Sequence, residues 1–183
     1  MLLESLPLFP NGLFAWVFVL VLGTLLSWAS LIDGKTLRIP NRLTLTLLSL
    51  GIFASALRLG WLGNLGAVRR VGLWPVTGPW SGAVGGLVFT VAGVLVGFGL
   101  LFLCWRLGTC QGGDVKLTAA VGAWLGPEGI LLALAGTVLA VLLLRGIQVL
   151  GARWLNRARP ARLAYAPALT LSVMVLLTWG VLV

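Results

Sequence analysis

Apolar residues in this chain do not alternate with polar ones. They run in long unbroken blocks: Gly12–Ile32, Leu43–Leu62, Gly82–Trp105, Ile130–Leu150 and Ala164–Val183. A helix needs about 20 apolar residues to cross a hydrocarbon core roughly 30 Å thick, so these blocks predict five membrane-spanning helices. A shorter apolar piece, Val115–Leu125, lies between the third and fourth, and GPEG (Gly126 to Gly129) punctuates its far end. Counting it, the pattern predicts an all-α integral membrane protein of about six transmembrane helices, a single polytopic domain over residues 1–183. No internal repeat or low-complexity segment interrupts it.

The short piece poses a geometric question. As a helix, Val115–Leu125 rises about 17 Å, little more than half of the bilayer core. If it reaches the far face, its start lies inside the bilayer, and that start is Asp114. The alternative is a helix that continues back through Gly112 and Gly113, which helix propensity disfavours by about 1 kcal/mol per glycine.

Composition agrees with the pattern. Hydrophobic residues make up 60% of the chain and charged residues 9%, with a mean hydropathy of +1.08. A soluble domain carries roughly 25% charged residues, so this chain cannot wrap a polar surface around one core. Its partner is the lipid bilayer. The net charge of +9 does not imply nucleic acid, because no basic run is interleaved with aromatics on a soluble domain.

The 13 basic residues instead fall between the apolar blocks, where they set orientation. Loop one holds Lys35, Arg38 and Arg42, and loop three holds Arg106 and Lys116. Loop five holds Arg145, Arg153, Arg157, Arg159 and Arg162. Loop two has Arg58, Arg69 and Arg70, and loop four has none. That bias of ten against three puts the odd loops in the cytoplasm and both termini outside. Arg58 and Arg145 fall near span ends, where long side chains can snorkel to headgroups. The nine tryptophans read as interfacial anchors. MLLESLPLFPNG, at the start, lacks the positive region of a secretory signal, so the first block reads as a retained helix.

Candidate chemistry is sparse. There is no histidine, and the two cysteines, Cys104 and Cys110, cannot supply the usual zinc ligand set. They read as ordinary small apolar residues. No metal and no cofactor is expected. Four carboxylates remain: Glu4, Asp33, Asp114 and Glu128. Glu4 and Glu128 fall on the outer side, while Asp33 ends the first span and Asp114 begins the short one, on the cytoplasmic side. An ionisable group at membrane depth is by default a functional candidate. Asp114 could instead be only a helix N-cap, and Asp33 could merely offset Lys35. Two carboxylates in contact share a proton, so one can activate water while the other donates to a peptide carbonyl. Gly112 and Gly113 would let a substrate backbone approach closely.

SLIDGKTLRIPNRLTL (Ser30 to Leu45) and GGDVKL (Gly112 to Leu117) resemble the two aspartate motifs of the type IV prepilin peptidases, which are membrane aspartic proteases. YAPAL (Tyr165 to Leu169), opening the last span, is similar too. The resemblance implies that Asp33 and Asp114 are the catalytic pair, with supporting places for Pro40 and Asn41, which end loop one and cap the second helix. Lys116 could tune Asp114, contact lipid phosphate, or only set topology. The implied substrate is a prepilin or pseudopilin precursor, cut after a glycine at the cytoplasmic face of the bacterial inner membrane.

Gln111 stands where the family's Gly-x-Gly-Asp motif has its first glycine. The paired Cys-x-x-Cys motifs of longer members are missing, so the chain resembles the short, peptidase-only type, without methyl transfer from S-adenosylmethionine. Two other classes stay open. One is a small proton-coupled transporter using Asp33 and Asp114 as a relay; the other is a non-catalytic assembly subunit, which needs neither aspartate.

Overall fold

A computed structural model describes residues 9–36, 39–71, 73–155 and 165–182. Glu4, Arg38, Arg157, Arg159 and Arg162 lie outside the described residues. The elements follow in the order α1 (Gly12–Thr36), α2 (Asn41–Asn64), β1 (Arg70–Val71), β2 (Trp74–Pro75), α3 (Pro79–Arg106), α4 (Gly112–Leu155) and α5 (Tyr165–Leu182). α1 to α3 and the 112–147 stretch of α4 are long and apolar enough to cross a membrane, and α5 is a shorter apolar helix. The all-α membrane architecture read from the blocks is therefore the one observed. The antiparallel β1–β2 hairpin, with Arg70 paired to Pro75, is an addition in loop two that the apolar pattern did not signal.

α4 is two helices joined at a break. Gly126 has φ 72° and ψ −175°, and Pro127 follows it. Proline cannot donate its missing N–H to the preceding turn. A side chain at Gly126 would also run into the Phe89 ring. The chain doubles back there, as contacts with α3 show. Gly97 lies against both the Thr118 carbonyl and the Ile130 side chain, residues that a straight helix would hold about 18 Å apart. The six apolar segments of the sequence are thus six helical segments, with 112–125 as the short arm of a hairpin. That arm begins at Gly112, two residues ahead of the expected start at Asp114, so the helix does take in both glycines.

The short arm packs closely on α3 because small residues face each other there. A Cβ on Gly122 would collide with the Gly93 backbone, and one on Gly93 with Gly122. Such approach lets van der Waals contact hold helices together where lipid offers no hydrophobic drive. Buried hydroxyls add bonds between helices: Ser55 Oγ donates to the Ala123 carbonyl at 2.7 Å and Ser172 Oγ to the Ala133 carbonyl at 2.8 Å.

Two side chains depart from their expected places. Trp124 is not interfacial but 1% exposed; its ring meets Phe18 edge-on at 4.9 Å and its Nε1 donates to the Leu47 carbonyl at 2.8 Å. Arg58 does not snorkel. It is buried between the faces of Phe18 and Phe89, with its guanidinium carbon 5.7 and 5.1 Å from their centroids, and its Nε has no partner among the described residues. Aromatic faces attract a desolvated guanidinium, which outweighs the reach to headgroups here. Cys104 and Cys110 are free thiols, and burial pushes the Cys110 thiol up from its ordinary value.

Candidate active site

The last turn of α1 carries Asp33, which lies within the helix rather than at its end. Its side chain is 3% exposed, and its Oδ2 accepts the Ala166 backbone N–H at 3.0 Å. Ala166 is in the first turn of α5, where N–H groups lack helical acceptors and the helix dipole favours an anion. YAPAL thus meets the first aspartate through its backbone.

Asp114 is reached from the other direction. α3 ends in a left-handed turn at Gly108, with the Thr109 N–H returning to the Cys104 carbonyl at 3.0 Å, a Schellman closure. The chain then enters α4 with Gln111 preceding the first helical residue. Asp114 Oδ2 accepts the Gln111 backbone N–H at 3.0 Å, the reciprocal half of a capping box. Asp114 is therefore not the N-cap. It is the acid three residues in, reaching back, and it is 7% exposed.

Both carboxylates line one cavity of about 240 Å³, together with Ile39, Gln111, Gly112, Gly113 and Lys116, and each lies within electrostatic reach of the other. Each aspartate commits Oδ2 to a backbone N–H. Among the described residues no hydrogen bond reaches either Oδ1, and neither is a fully buried atom without a partner. A Cβ on Gly113 would sit in ordinary contact with Ile39 at 3.6 Å, and one on Gly112 no nearer than 3.9 Å to Trp105. Packing does not demand these glycines. What side chains there would take up is the cavity itself.

The supporting residues divide. Lys116 lines the cavity, but its Nζ donates to Asn41 Oδ1 at 3.0 Å; Lys116 and Asp114 form no ion pair among the described residues. Among the described residues, the Asn41 side chain makes no cap bond. The N-cap is Pro40, in extended conformation at φ −66° and ψ 138°, also without a side-chain bond, and Pro40 does not line the cavity. Lys116 and Asn41 instead tie α4 to the start of α2. Ile39, the Ala166 N–H and the Thr118–Tyr165 hydroxyl pair, 3.1 Å apart, were missed from sequence. Only the YAPAL segment offered a signal for the last two.

Fold and cavity together define a polytopic α-helical membrane protein with two buried carboxylates at one end of its bundle. A model of the type IV leader peptidase family matches residues 20–146, a stretch that takes in both aspartates. The prepilin leader peptidase/N-methyltransferase of Pectobacterium carotovorum subsp. carotovorum is 32% identical over 148 residues, 75% of this chain and 44% of that protein. This chain belongs to the type IV leader peptidase family. It spans less than half the length of that relative, and no solved structure matches it.

Proposed function

We propose that this chain is a membrane-embedded aspartic endopeptidase that removes the leader peptide of type IV pilin-like precursors, with Asp33 and Asp114 as its catalytic pair. The observation that carries the reading is one cavity lined by two buried aspartates, each oriented by a backbone N–H and each with an oxygen to spare. Neighbouring carboxylates cannot both ionise cheaply, so the pair holds one shared proton. The ionised member takes a proton from water as its oxygen bonds to the scissile carbonyl carbon. The protonated member donates to the carbonyl oxygen. The tetrahedral intermediate collapses as the C–N bond breaks and the amide nitrogen receives a proton, which leaves an acid and an amine. This chemistry uses no residue beyond the pair.

The finer reading places the cavity at the cytoplasmic face of the bacterial inner membrane, where a basic leader precedes the substrate's apolar segment, with cleavage after a glycine. Its support is the loop charge bias and the motif resemblance. Cleavage without methyl transfer is part of the proposal, since only residues 37–40 separate α1 from α2. The relay reading has less support: Leu117, Ala120, Val121 and Trp124, at 0–2% exposure, fill the short arm beyond Asp114. A synthetic precursor spanning leader and apolar segment, incubated with purified protein in detergent, tests the proposal. Cleavage at a single bond, lost in Asp33→Asn and in Asp114→Asn, is expected; no cleavage, or cleavage independent of both, contradicts it.

A further inference from the structure

The two aspartates belong to helices whose backbones do not approach each other among the described residues. α5 packs on both, and no such contact joins α1 to α4. α2 also touches both, and Phe18 meets Trp124 between them, but the link that reaches Asp33 itself comes from the first turn of α5. The Ala166 N–H holds Asp33. One residue earlier, the Tyr165 hydroxyl bonds to Thr118 Oγ1 at 3.1 Å. Thr118 is fully buried and follows Asp114 by four residues, one turn along the same helix face. Covalent chain and two hydrogen bonds thus run Asp33, Ala166, Tyr165, Thr118, Asp114 without a gap.

We infer that the Tyr165–Thr118 hydroxyl pair is a positioning device that sets the separation of the two aspartates. The inference rests on the catalytic reading of Asp33 and Asp114. Neither hydroxyl needs to touch substrate. Their bond pins the first turn of α5 against the short arm of α4, and Asp33 follows because its oxygen is held by the next N–H. A buried hydroxyl without its partner is unfavourable, so the link is disfavoured from opening. Loosening it weakens the coupling of the carboxylates, and coupled groups titrate with split apparent values that belong to the pair.

The test uses the full chain in detergent with a synthetic precursor. Tyr165→Phe keeps the ring and removes the bond; Thr118→Val does the same from the other side, and Thr118→Ser restores a hydroxyl. The expected result is a drop in kcat of about 10- to 100-fold, in the range of a displaced catalytic group, with KM little changed. The pH–rate profile should narrow as the two limbs move together. Thr118→Ser should recover most of the rate, and Tyr165→Phe/Thr118→Val should be no worse than either single variant.

Wild-type kcat and an unchanged profile in Tyr165→Phe, with Asp33→Asn and Asp114→Asn inactive, overturn this inference and leave the peptidase reading standing. Loss of folded protein with normal kcat per folded molecule also overturns it, because the bond is then structural. If Asp114→Asn keeps near-parent activity, the catalytic reading falls and this inference falls with it.

Discussion

Gln111 holds Asp114 by its backbone N–H, not by its side chain, at 3.0 Å. The position where the family motif has glycine therefore supplies a main-chain donor that glycine and glutamine share. Gln111→Gly should leave cleavage within about threefold, the side chain's loss being a small surface effect. Gln111→Pro removes the donor altogether and should lower kcat by about 100-fold or more, in the range that general acid–base contributions span. Steady-state cleavage rates check both; equal activity in the two variants would mean that Asp114 is oriented by something else.

The cavity glycine and the hairpin glycine should fail differently. Gly113→Ala adds a methyl in ordinary contact with Ile39, so thermal stability in detergent should hold while KM for the precursor rises. Gly126→Ala forces an L-residue to φ 72° and ψ −175° beside Phe89, a backbone penalty of about 1–3 kcal/mol before the clash. It should lower the melting temperature clearly. Stability and KM measured side by side on both variants separate room for substrate from room for the fold.

Much of this architecture was legible because its signals are local. Block length announced the spans, and GPEG after a half-length block announced the break at Gly126, since glycine and proline act on their own turn. The two aspartates stood out by scarcity. What stayed hidden depends on partners far away in the chain. The N–H on Asp33 comes from 133 residues on, and the Asn41 oxygen that takes up Lys116 is 75 residues away. Trp124 and Arg58 were misjudged for the same reason: composition assigns aromatic and basic residues to the interface, and only packing against Phe18 and Phe89 draws them inside.

Arg58 itself offers a check on that packing. Among the described residues its guanidinium faces the Phe18 and Phe89 rings, so Arg58→Leu should change stability by about 1 kcal/mol or less, because a buried charge replaced by an apolar group of similar volume is often neutral or stabilising. A loss of about 3 kcal/mol or more in chemical denaturation would reveal an anionic partner for the guanidinium.

Orientation is open to labelling. In a Cys104→Ala/Cys110→Ala background, single cysteines at Thr36, Ser81 and Asn156 should divide: an impermeant thiol reagent added to intact cells should reach position 81 and miss 36 and 156. Labelling of 36 or 156 from outside would reverse the proposed topology and put the cavity on the wrong side for a cytoplasmic leader.

Methyl transfer has its own readout. Mature product made by this chain alone, with S-adenosylmethionine supplied, should carry a free α-amine in mass spectra. A methylated amine that depends on this chain would place a methyl-donor site among the membrane loops.

Everything turns on whether the two aspartates act as a unit. The direct measurement is the cleavage rate of one synthetic precursor by the parent, Asp33→Asn, Asp114→Asn, the double variant and a Glu128→Gln control, each shown to be folded and membrane-inserted. Shared-proton chemistry needs both carboxylates, so each single variant should be inactive, the double variant no worse than either, and the control near the parent rate. Near-parent cleavage by Asp114→Asn would reduce that residue to the capping acid of α4 and contradict the account.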